Sequence, residues 1–67
     1  MEIKLKDEFI KLGQALKAAG LVSSGAEAKE VILDGLVKVN EETELRRGRK
    51  LYRNDIISFN HEIIKIV

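Results

Sequence analysis

The sequence contains no cysteine, no proline and no tryptophan, and its only aromatic residues are Phe9, Tyr52 and Phe59. Without cysteine, neither a disulfide nor a thiolate metal site can staple the fold. The core must therefore come from Ile, Leu, Val and Ala, helped by Phe9 and Phe59. No apolar run approaches the length of a membrane span, which excludes a transmembrane helix. The opening Met1–Glu8 segment mixes acids with lysines and resembles neither a signal peptide nor a transit peptide, so the expected compartment is the cytoplasm. A chain of 67 residues makes one domain, 1–67. At this size it buries only roughly 60% of its unfolded surface, leaving no room for a deep active-site cleft. Net charge is +1, so the total points to no class of partner; the distribution does.

What is present is organised around residues 23–40. Ser24 is a good N-cap, and Glu27 three residues later can close a capping box on it. Ala28, Val31 and Ile32 recur at helical spacing and predict one buried stripe. Asp34-Gly35 predicts the helix end, since glycine takes the left-handed conformation there without a Cβ clash. Val37 and Val39 alternate with Lys38 and Asn40, the period-two pattern of a half-buried strand over 36–40.

Before this unit, Ile3 and Leu5 alternate with Glu2, Lys4 and Lys6 and predict a first strand. Asp7 is the expected cap of a helix from Glu8 to Ala19, with Phe9, Leu12 and Leu16 on its buried face and Lys11, Gln14 and Lys17 together on another. Gly13 inside that helix costs roughly 1 kcal/mol against alanine, which suggests a close helix–helix approach. After the central unit comes an acidic connection, Glu41 to Glu44, and then the charge reverses. Residues 46–53 carry five cations, Arg46, Arg47, Arg49, Lys50 and Arg53, and no anion. Asn54-Asp55 predicts a turn, and 56–59 and 63–67 read as two closing strands joined through Asn60-His61. The order of elements is that of a small α+β domain.

Cations packed this densely repel one another, and a polyanionic partner would explain them. Arginine suits phosphate because its planar fork makes paired hydrogen bonds to the oxygens. The competing explanation is a solvated hairpin whose cations pair with Glu41, Glu42 and Glu44. The start of the second helix, with Ser23, Ser24 and Gly25 and with Lys29 one turn on, offers a second anion site or simple capping. His61 is the only histidine and falls in a turn. No Ser/His/Asp set, phosphate-cradling glycine loop or spaced metal-ligand cluster is present, so no catalysis, metal, cofactor or small-molecule substrate is expected. Two further readings stay open: a protein-interaction adaptor using the basic strip, and a DNA-binding module in which two short helices imitate a helix-turn-helix.

Four stretches carry a family resemblance: Leu12 to Gly20, Ser24 to Lys29, Asp34 to Asn40 and Arg46 to Asp55. Together they resemble the S-four-like RNA-binding domain, the alpha-L motif, over nearly the whole chain, and are most similar to the stand-alone bacterial YaaA-type proteins. The resemblance implies two helices packed on a short, mostly antiparallel sheet, in a monomer that binds structured RNA, ribosomal RNA or a ribosomal particle. Carried over by position, the implied contacts are Ser24, Lys29, Lys38, Arg46, Arg47, Arg49 and Lys50, with Lys11, Gln14, Lys17, Tyr52 and Arg53 at the periphery. The low aromatic content implies recognition of backbone and shape. The chain departs from the family pattern twice: Gly25 stands where many members have arginine, and Glu41 where many have glycine. On this reading, replacing Arg46, Arg47 and Arg49 by alanine is expected to leave the fold intact.

Overall fold

A computed structural model describes all 67 residues. Seven short strands and two helices follow in the order β1 (Glu2–Ile3), β2 (Ile10–Lys11), α1 (Leu12–Ala18), α2 (Gly25–Leu33), β3 (Val37–Val39), β4 (Glu42–Thr43), β5 (Lys50–Leu51), β6 (Ile56–Phe59) and β7 (Glu62–Ile66). Five strands form one sheet in the order β1-β7-β6-β3-β4, antiparallel except for the parallel β1–β7 edge; β2 and β5 form a separate antiparallel pair. The α+β architecture of two helices on a mostly antiparallel sheet is thus present.

Alternation decides which face of the sheet is covered. Val37, Val39, Ile57, Ile64 and Ile66 are fully or almost fully buried against Leu12, Ala15 and Leu16 of α1, Ala28 and Ile32 of α2, and Leu51 of β5. Lys38, Ser58 and Ile63 sit in register on the outer face. Two tight hairpins set this register. Asn40-Glu41 joins β3 to β4 and Asn60-His61 joins β6 to β7, with all four residues at positive φ (51°, 71°, 52° and 66°). Such paired left-handed residues match the twist of the strands, and asparagine tolerates them better than glutamate or histidine.

The second helix follows its predicted signals. Ser24 Oγ accepts from the Glu27 amide at 3.1 Å, and Gly35 stands at φ 75° after the last turn. The Glu27 carboxylate, however, reaches back to the Ser23 amide and hydroxyl, not to the backbone of Ser24.

The first helix differs from expectation. It begins at Leu12, not at Glu8, and Lys11, not Asp7, is its N-cap. Ile10 and Lys11 are extended because they pair with Leu51 and Lys50, a partner some forty residues away that local periodicity does not register. Phe9 therefore lies outside the helix and outside the core, 6.2 Å from the Tyr52 ring. Gly13 is not a helix–helix contact either: a Cβ there would lie 2.8 Å from Arg47 Cγ. Two further strands lie where none is expected, β4 in the acidic connection and β5 in the basic segment; the other differences are of extent, with the opening strand stopping at Ile3, the central strand spanning 37–39 and the last strand starting at Glu62.

Candidate functional site

A helix seven residues long leaves its first amides without intrahelical partners, and here a distant loop supplies them. The Leu12 amide donates to the Arg49 carbonyl at 2.8 Å and the Gly13 amide to the Arg47 carbonyl at 3.1 Å. Gln14 Oε1 accepts from the Lys11 amide. Capping α1 thus fastens the basic segment across its N-terminus, with a turn at 46–49 closed by Arg49 N to Arg46 O. The Arg47 stem lies over Gly13, where only hydrogen leaves room.

The result is a shallow concavity of about 330 Å³ lined by Lys11, Gly13, Gln14, Lys17, Gly25, Arg47 and Gly48. No lining side chain is acidic or apolar. Beside it, Arg46, Gly48, Arg49 and Lys50 line a second open hollow. Lys11 and Lys50 stand directly opposite one another across the β2–β5 pair, a like-charge placement that costs stability in isolation. Lys50 Nζ instead rests 4.7 Å from the centre of the Phe9 ring. A separate groove between the N-terminal segment and α1 is lined mainly by Ile3, Leu5, Phe9 and Ile10 and brings only Lys4 and Lys6 as cations.

Carboxylate pairing within the basic segment is confined to one residue. Glu44 is buried, with 7% of its surface exposed. Its Oε2 accepts from Arg46 Nε at 2.9 Å and from the Arg46 amide at 3.1 Å; its Oε1 accepts from Arg46 Nη2 at 3.1 Å and Arg49 Nη1 at 2.9 Å. These two arginines form the molecule's only ion pairs. The hydrogen bonds from Arg46, and then the single one from Arg49, lower the Glu44 pKa from 4.5 to about 2 against the opposing effect of desolvation. The same bonds raise that of Arg46. Glu41 and Glu42 take no part, so Arg47, Lys50 and Arg53 remain unpaired, as do Lys11, Lys17 and Lys29.

The residues singled out from sequence are thus distributed as follows. Arg47 meets Lys11, Gln14 and Lys17 in the concavity, where the start of α2 also arrives through Gly25. Ser24 adjoins Gly25 as the α2 cap, and Lys29, four residues beyond Gly25, lies one turn along the same helix face. Arg46, Arg49 and Lys50 flank the concavity; Tyr52, beside the Phe9 ring, and Arg53 are exposed but line neither hollow. Lys38 is not brought to this side; it projects from the outer face of the sheet between Thr43 and Ser58. Sequence reasoning gave Gly13 the wrong neighbour, and it grouped Glu44 with Glu41 and Glu42 as a solvated partner of the cations when Glu44 alone pairs with them and is buried. For Glu44 a signal existed: a two-residue turn at 40–41 sets Glu44 opposite the core residue Val37, and the Glu44 amide does donate to the Val37 carbonyl.

Comparison with known proteins adds an independent line. A family model described as the S4 domain matches residues 3–67. A Bacillus subtilis protein named "Probable ribosome maturation protein RlbA" is 46% identical over 55 residues, 82% of this chain and 78% of that one. YbcJ of Escherichia coli is 34% identical over 62 residues, 92% of this chain and 89% of that one. The solution structure of YbcJ, described as revealing an alfaL motif involved in RNA-binding, superposes with a TM-score of 0.75 at 33% identity and covers 98% of this chain and 85% of that one.

Proposed function

The chain belongs to the S4 domain family, and from that premise we propose that it binds structured RNA, with ribosomal RNA or a ribosomal particle as the target. The observation that carries this reading is the concavity where Lys11, Lys17 and Arg47 meet beside three glycines with no carboxylate among them. Cations there have no internal partner, and the small residues let a sugar–phosphate backbone come close to the protein main chain.

In this reading Arg47, Lys11 and Lys17 hold phosphates in the concavity, and Gln14 and the Ser24 hydroxyl donate hydrogen bonds beside them. Lys29 continues the track along α2, while Arg46, Arg49 and Lys50 continue it over the loop. Tyr52 and Arg53 extend it at the far end. Lys38, on the outer face of the sheet, meets only an RNA that wraps around the domain. The role is one of binding, not catalysis, in a cytoplasmic monomer.

The test is fluorescence anisotropy with a labelled, bulged RNA hairpin across a salt series, with duplex DNA as competitor. Each phosphate contact contributes about −0.7 to −0.9 to the log–log slope, so the three cations of the concavity alone give a slope of about −2 to −3. A flat salt dependence, or equal competition by duplex DNA, overturns the reading. Crosslinking in cells followed by sequencing of the attached RNA identifies the target.

A further inference from the structure

An acid buried inside a polyanion-binding loop is unexpected, because its charge opposes the ligand. Glu44 is the one charged residue the fold buries, and both of its oxygens are fully engaged. Building on the RNA-binding reading above, we infer that Glu44 is a positioning residue of that surface. It strengthens RNA binding by holding Arg46 and Arg49 in place and thereby aiming Arg47 over Gly13.

The geometry supports this in three steps. Each arginine has five N–H donors. Arg46 uses two side-chain donors on Glu44 and Arg49 uses one, so most remain for a ligand. Their side chains are 73% and 30% exposed, so both heads are fixed yet accessible. Finally, the loop between them is already tied to α1 through the Arg47 and Arg49 carbonyls. The side-chain bonds to Glu44 complete a frame in which Arg47, at the turn, has one direction to point.

Without Glu44, four adjacent cations, Arg46, Arg47, Arg49 and Lys50, would repel and sample many conformations that RNA must then freeze. Immobilising one long side chain at binding is worth about 2- to 10-fold in affinity, and two are held here. The opposing repulsion between one carboxylate and the phosphates is screened over about 8 Å at physiological salt. Pre-ordering outweighs repulsion, so deleting this anion weakens binding to an anion.

The experiment compares wild type, Glu44→Gln, Glu44→Asp and Glu42→Gln by anisotropy on the same bulged RNA hairpin over a salt series. It is run at a temperature where circular dichroism shows each variant folded. Expected for Glu44→Gln is about 5- to 10-fold weaker binding and a slope shallower by about one contact, a change that lowered stability alone would not produce. Glu44→Asp keeps the charge but cannot span both arginines, and it also weakens binding; it carries the test if the glutamine variant does not fold. Glu42→Gln removes an exposed, unpaired acid and leaves binding equal or tighter. Wild-type binding with Glu44→Gln equal or tighter overturns this inference alone. Absence of wild-type binding overturns it together with the RNA-binding reading.

Discussion

Acidifying the protein should unfasten the basic loop, and the size of the effect follows from Glu44. Its carboxyl is held at about 2 in place of 4.5, chiefly by the paired hydrogen bonds of Arg46. At about 1.4 kcal/mol for each tenfold change in proton affinity, the ceiling on its contribution is roughly 3 kcal/mol. Arg46 is itself 73% exposed, so water screens the pair, and about 1–2 kcal/mol is the expected value. The folded-state pKa lies below the unfolded one. The contribution is therefore complete above about pH 5 and disappears as the pH falls through about 2.

Urea denaturation of wild type and Glu44→Gln across this range isolates the group, since the two proteins differ at no other carboxyl. At neutral pH the variant should be less stable by about 1–2 kcal/mol, a loss of roughly 5–10 °C in Tm for a domain this small. The two proteins should converge toward pH 2. A stability difference that stays constant from about pH 6 to about pH 2 would refute the reasoning, because the pairing would then be immaterial to the fold.

The hairpin residues Glu41 and His61 stand at φ 71° and 66°. Replacing either by glycine should stabilise the domain by about 0.5–1 kcal/mol in urea denaturation, additively because the turns are separate. Gly13→Ala places a Cβ against Arg47 Cγ and should leave the circular dichroism spectrum unchanged while RNA affinity in anisotropy falls about 3- to 10-fold, a loss of roughly one contact. Gly25 has open space around its Cβ position and lines the concavity. Gly25→Arg should therefore fold normally, bind the RNA hairpin more tightly and steepen its salt slope by about 0.7–0.9.

What could be read in the sequence was what neighbouring residues decide among themselves. The α2 cap at Ser24, the stop at Gly35 and the buried alternation of Val37 and Val39 depend on spacings of a few residues, and each is found where expected. What was not legible depends on residues far apart in the chain. The start of α1 moved from Glu8 to Leu12 because Ile10 and Lys11 are claimed by Leu51 and Lys50. Gly13 received the wrong neighbour because its true one, Arg47, arrives from a loop over thirty residues away.

The charge pattern was legible only as an alternative between a ligand-binding strip and a self-neutralised hairpin. The structure divides it: Arg46 and Arg49 are paired with Glu44, whereas Arg47 and Lys50 are not. This also changes the expected result of replacing Arg46, Arg47 and Arg49 together. That substitution strands a buried carboxylate and should destabilise the fold, so it is a poor probe of the surface.

The most direct measurement is the salt dependence of RNA-hairpin affinity for wild type and for a variant with Lys11, Lys17 and Arg47 replaced by alanine. None of the three holds an ion pair, so the variant should melt with wild type. The account predicts weaker binding and a slope flatter by about 2, the loss of three phosphate contacts. A folded variant that binds with the wild-type slope would place the RNA elsewhere on the molecule and contradict the account.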